Sequence, residues 1–341
     1  MVNKYVCDNS FIFKYINPES NDRFSEMNGT YLQDIIILLD NFYLELRKKL
    51  GLDKSITFGT ELEFEDIDKE VIRNMINDEL LLENWIIKSD CSIICGGEVN
   101  SPILRDSESS WDELKKVCLI LDENAKIGNN SAGHIHVGSQ ILGDDRQSWL
   151  NFIKLWSVYE NIIFRFGYGE FLVGRQSIMR YAKPIKDYLW EYYNNFIKDN
   201  VSLENMLVIL SLNRDQAVNF THVLKDNIDS FNLANTIEFR SPNASFNPEI
   251  WQNNVNFFTK LLLYSCSSLY DDDKIENRNR LDINKNLNYE MYNQVFLDQA
   301  LELCDMIFDN NLDKIYFLKQ YLKSFEVGDK SNIKTYSLVK K

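Results

Sequence analysis

Four short stretches of this chain alternate apolar and polar residues with a period of two, and they constrain the fold more than any other feature. They read ITFGTELEFE from Ile56 to Glu65, IICGGEVNSP from Ile93 to Pro102, GHIHVG from Gly133 to Gly138 and TIEFR from Thr236 to Arg240. Period two is the pattern of a strand with one dry and one wet face. In the first stretch Ile56, Phe58, Leu62 and Phe64 fall on one side and Glu61, Glu63 and Glu65 on the other; in the third, Ile135 and Val137 oppose His134 and His136. In the fourth, Ile237 and Phe239 oppose Glu238 and Arg240. If one sheet holds all four, its polar face collects carboxylates, imidazoles and a guanidinium.

Like charges crowded on one face repel unless something neutralises them, and oxygen-rich clusters of this kind are the usual setting for Mg²⁺ or Mn²⁺. Any one Glu could equally occupy a solvated strand position. The chain has only three histidines, however, and two of them form a His-x-His pair in a Gly-flanked strand. A metal site therefore explains the four stretches together better than four unrelated solvated faces.

The series GTELEFE, GGEVNSPIL, NNSAGHIHVG, RDQAVNF and NTIEFRSPNASFNPE resembles, in order and spacing, the amidoligase family, a branch of the carboxylate–amine ligases that share the glutamine synthetase fold. The resemblance runs from roughly residue 55 to residue 270. It implies an α+β fold, with an antiparallel β-sheet carrying helices on one face as a glutamine synthetase-like catalytic core. It also implies ATP-dependent amide-bond formation through an acyl phosphate, with ATP and Mg²⁺ (or Mn²⁺) required. Carried over by position, Glu61 and Glu63 divide their carboxylates between two metal positions, Glu98 joins one, and His134 and Glu238 join the other. His136 faces the nucleotide phosphates, and Arg240 holds the transferring phosphoryl group. Arg175 and Arg180 bind phosphate or the substrate carboxylate, and Asn219 lies near the substrate. The chain departs from the pattern at Ala244, where family members often carry Gly.

Composition limits the partners. The net charge of −14 removes the cationic footprint that nucleic acid or an anionic membrane surface requires. No run approaches the length of a membrane-spanning helix, and MVNKYVCDNS at the start has no hydrophobic signal core. Cytoplasmic residence is the expectation, with reduced thiols at Cys7, Cys91, Cys95, Cys118, Cys266 and Cys304. Cys91 and Cys95 lack a second ligand pair for zinc. The expected partners are a carboxylate and an amine, as small molecules or peptide tails, with homo-oligomerisation left open.

The 341 residues divide into an N-terminal extension and helix (1–54), a catalytic core (55–270) and a helical C-terminal segment (271–341). Apolar spacing predicts helices over Tyr31–Leu50 and Asp66–Ile87, and again over Trp111–Ala125 and Trp149–Phe166. Further helices are expected over Tyr188–Phe196, Ser202–Leu212, Pro248–Leu269, Tyr289–Phe308 and Leu312–Phe325. The charged residues around Asp271–Asp273 and Asn277–Arg280 read as a linker. His222 reads as a satisfied, partly buried side chain. Two other functions fit the same residues: a metal-dependent hydrolase built on the His-x-His strand, and a non-catalytic binding protein on a ligase scaffold.

Overall fold

The computed structural model describes residues 20–26, 39, 44–79, 83–128, 130–168, 178–223, 235–280 and 296–322. The four alternating stretches become strands β1 (Phe58–Glu65), β3 (Gly96–Asn100), β4 (Gly133–Gly138) and β6 (Thr236–Phe239). Two shorter strands that the alternation does not announce, β2 (Ile86–Lys88) and β5 (Val218–Asn219), complete the sheet. Its order is β2-β3-β1-β4-β6-β5, and every neighbouring pair is antiparallel.

Register decides which side chains share a face. Glu61 lies opposite both Asn100 and His134, Glu63 opposite Glu98, and His136 and Asn219 opposite Glu238. Directly opposed residues point to the same side of a sheet, so the acidic and histidine positions Glu61, Glu63, Glu98, His134, His136 and Glu238 land on one face. Gly96 begins β3 at φ +148°, and a Cβ there would lie 2.0 Å from Phe64 O. Only glycine lets β3 pass this close to β1.

The other face is dry. Phe58, Leu62, Phe64, Val99, Ile135, Val137, Ile237 and Phe239 are all buried, and helices cover them. Helix α1 (Lys69–Asn77) buries Ile72 and Ile76, and α2 (Glu108–Asn124) buries Trp111, which stacks on Phe58 at 4.9 Å. Helix α3 (Arg146–Tyr168) brings Phe152 and Trp156 onto Phe239. Three shorter helices follow, α4 (Ile178–Tyr181), α5 (Lys186–Lys198) and α6 (Leu203–Leu210), and then α7 (Pro248–Ser265) places Phe258 4.2 Å from Phe239. Helix starts are marked by caps: Asp68, Ser107, Ser202 and Asn247 each accept a backbone N–H of the first turn.

Helices α8 (Asp272–Arg280), α9 (Leu297–Ile307) and α10 (Asn311–Leu322) lie behind this layer. Phe317 of α10 stacks on Phe166 and Phe257 at 5.1 Å each, which extends one continuous apolar core. No helix among the described residues is long and apolar enough to cross a membrane.

Three expectations change. Residues 44–50 of the expected Tyr31–Leu50 helix are irregular, because tertiary partners take their backbone donors. Tyr316 accepts Glu45 N–H, Gln252 accepts Arg47 N–H, and Asp106 accepts Leu50, Gly51 and Leu52 N–H. Within that stretch, 31–38 and 40–43 lie outside the described residues. Among its described residues, the Asp66–Ile87 segment is helical only over α1 and ends in β2; residues 80–82 lie outside the described residues. The stretch read as a charged linker contains α8, held by Lys154 to Asp272 at 2.6 Å and by Arg278 to Glu302 at 2.6 Å.

Candidate active site

Each functional side chain reaches the wet face because its strand alternates. Glu63, His134, Glu238 and Asn219 are 2–4% exposed there, with Asn100 at 9%. His134 is central: Nδ1 donates to Glu61 Oε2 at 2.8 Å and lies 3.4 Å from Glu238 Oε1, while Nε2 is 3.7 Å from Glu63 Oε1. His136 hydrogen-bonds Thr236 through Nδ1 at 3.0 Å. Its Nε2 approaches Glu61 Oε1 to 3.2 Å without the alignment of a hydrogen bond, so that nitrogen is buried and unsatisfied.

Glu238 is held from several sides. Arg240 Nη1 donates to Oε1, Asn219 Nδ2 donates to Oε2 at 2.5 Å, and His222 Nε2 lies 3.3 Å from Oε2. Arg240 Nε also donates to Tyr181 O at 3.0 Å, which fixes the plane of the guanidinium at the end of β6. Glu61 accepts from Asn100 Nδ2 at 2.9 Å, and Glu63 accepts from Ala132 N–H at 2.6 Å. Glu65 points the same way but serves the preceding loop, accepting from Asn130 N–H and Ser131 Oγ.

These surroundings separate the carboxylates electrostatically. Burial works against the charge of Glu61, but His134 and His136 outweigh it and hold the carboxyl far below its usual range. Burial also opposes Glu238, and His222, His134, His136 and Arg240 together pull it well down. Glu98 goes the other way: burial, then the charges of Glu61 and Glu63, push it up to about 7. Burial would depress His136, but the attraction of Glu61 and Glu238 raises its pKa above the ordinary value. A face with carboxyls displaced in both directions is typical of functional sites.

Two sets of donor atoms converge within 4.8 Å of one another: Glu61, His136 and Glu238, and Glu63, Asp90 and Glu98. Oxygens with a single imidazole suit a hard divalent cation, and the buried, unsatisfied His136 Nε2 is a ligand atom without a proton partner. The residues present therefore fit a metal. Both histidines reach Glu61, so distance does not divide them into a metal ligand and a phosphate contact.

The structure brings together Glu61, Glu63, Glu98, His134, His136, Glu238, Arg240 and Asn219. Arg180 is exposed, with its guanidinium 5.0 Å from the Tyr181 ring centre, next to the residue whose carbonyl accepts Arg240 Nε–H. Arg175 lies outside the described residues. His222 is partly buried and partnered, as the sequence reading has it, but its partner is Glu238 at 3.3 Å and it stands edge-on to His136 at 5.4 Å, so it lies beside the site. Asn100 and Asp90 went unrecognised. Asn100 could have been found, since it is two residues past Glu98 on an alternating strand; Asp90, in a turn, carried no such signal.

A family model described as "Putative amidoligase enzyme" matches residues 19–262. No curated protein matches the chain.

Proposed function

The chain belongs to the amidoligase enzyme family, and from that premise we propose that it joins a carboxylate to an amine, driven by ATP, on a glutamine synthetase-like core. Amide formation in water is uphill, so the carboxylate must first be activated. Transfer of the γ-phosphoryl group makes an acyl phosphate, which the amine then attacks with loss of phosphate. Such a transfer is mostly positioning and charge neutralisation. The observation that carries the proposal is the register that sets Glu61, Glu63, Glu98, His134, His136 and Glu238 on one face, with Arg240 just past β6 donating to Glu238.

Glu61, Glu63, Glu98 and Glu238, with His134 and His136, would hold Mg²⁺ or Mn²⁺, which when bound neutralises phosphate charge. Arg240, its plane fixed by Tyr181 O and Glu238, presents a rigid cation to the phosphoryl oxygens. Asn219 holds Glu238 in place and orders the turn beyond it, since its Oδ1 accepts Thr221 N–H at 2.9 Å. Arg175 and Arg180 are proposed to meet the substrate carboxylate. The acid is an amino acid, small peptide or peptide tail.

The test is release of ADP and phosphate by purified protein with Mg²⁺ and ATP, screened over carboxylate and amine pairs. Release that requires both substrates supports the ligase. ATP hydrolysis indifferent to any pair, or no turnover with any metal, contradicts it.

A further inference from the structure

Most carboxylates of the wet face are already partnered: Glu61 by His134 and Asn100, Glu238 by Arg240 and Asn219, Glu65 by Ser131. Two are not. Glu98 accepts no hydrogen bond from any described residue. Asp90 uses Oδ1 to cap Ser92 N–H at 2.6 Å and leaves Oδ2 without a partner among the described residues. Yet Glu63, Asp90 and Glu98 each present an oxygen, and those oxygens lie within 4.8 Å of one another. A second observation comes from the next position of β3 on this face. Asn100, two residues beyond Glu98 on this face, donates Nδ2 to Glu61, while its Oδ1 is buried with no donor. An orphaned amide oxygen inside a sheet is normally served by a water, and a hydrated cation carries such waters.

We propose that Asp90 is the third oxygen ligand of a divalent-cation position that Glu63 and Glu98 hold. The inference rests on the ligase reading above, since that reading places a cation at Glu63 and Glu98. Asp90 adds the turn between β2 and β3 to a site otherwise built from strands. Three carboxylates converging without a cation would repel, and a divalent ion bound by all three removes that repulsion.

The test is Mn²⁺ binding to the full-length protein, followed by the loss of the free-ion electron paramagnetic resonance signal, with no nucleotide present. Asp90→Asn keeps the size of the side chain and the Oδ1 cap but removes the charge. It should weaken one class of Mn²⁺ site by about 10- to 100-fold, the scale on which metal-site partners act, and leave the other class unchanged. Ser92→Ala, which loosens the turn but keeps the charge, should bind Mn²⁺ as wild type does. Wild-type binding in Asp90→Asn overturns the proposal and leaves the ligase reading intact, as does a change in amine KM with an unaltered Mn²⁺ isotherm. Equal weakening in Ser92→Ala also overturns it, because the turn and not the charge would then matter. A wild-type protein that binds no Mn²⁺ overturns both readings.

Discussion

Glu238 and Arg240 share a strand face two residues apart, touch each other, and should fail differently when replaced. Glu238→Gln removes the charge of a proposed metal ligand and one of the two oxygens that accept from Arg240 and Asn219, so Mn²⁺ and nucleotide affinity should fall together, with activity partly restored by excess metal. Arg240→Ala leaves the carboxylates in place. Its turnover should drop by about 10²–10³, the usual effect of losing one transition-state charge contact, with no rescue by metal. ADP release measured against metal concentration, with nucleotide affinity measured separately, separates the two. Glu98 supplies the pH dependence. Its folded pKa of about 7 lies above the ordinary 4.5, so the folded state holds the proton more tightly. The stability this adds is complete below about 4.5 and disappears as pH rises through about 7. Buried Glu160, also raised to about 7, acts in the same direction. Metal-free protein should therefore melt at lower temperature as pH rises through this window. Glu98→Gln should flatten part of that slope, and added Mn²⁺ should offset it.

Strands reach the site only because helices and loops hold them at fixed depth. Gly133 opens β4 where a Cβ would meet Trp251 Cη2 at 2.8 Å and Asn243 O at 3.0 Å. Neither neighbour is a flexible chain end, since Trp251 Nε1 is tied to Ser245 O at 2.7 Å. Gly133→Ala should destabilise the protein by about 1–3 kcal/mol, the range for overpacked cores, and shift His134 with it. Asp106 performs the corresponding task for the entry to β1. It accepts Trp111 Nε1–H of α2 as well as the three successive backbone donors of Leu50, Gly51 and Leu52. Asp106→Ala strands those donors, and at about 1–3 kcal/mol for each buried unsatisfied group a fall of at least about 2 kcal/mol in urea unfolding is expected. The same contacts explain why helical spacing up to Leu50 misled: the apolar residues are spaced for a helix, but distant side chains claim the backbone.

At the scale of the molecule, the C-terminal helices stabilise the core. Arg165 of α3 donates Nε–H to Tyr321 O at 3.0 Å, and Gln320 donates to Phe166 O at 3.0 Å and to Asn254 at 2.8 Å. A chain ended after residue 270 would lose the Phe317 cover of Phe166 and Phe257 and the hydrogen bonds from Arg165 to Tyr321 O and from Gln320 to Phe166 O. It should show no cooperative urea transition by circular dichroism, whereas the full chain should show one. Mn²⁺ at about 100 times its dissociation constant should add about 2.7 kcal/mol per site to the full chain. The sequence by itself determined the strand faces, because period two is a local property of the pleat, and with them nearly every acidic, histidine and arginine member of the site. It also placed most helices, since apolar spacing and caps act within a few residues. Only the tertiary structure decided the register that sets Glu61 between Asn100 and His134, the two-residue β5 that carries Asn219, and the approach of His222 and Asp90. Those depend on which strands and turns meet across long loops, and no local period encodes a contact between residues distant in the chain.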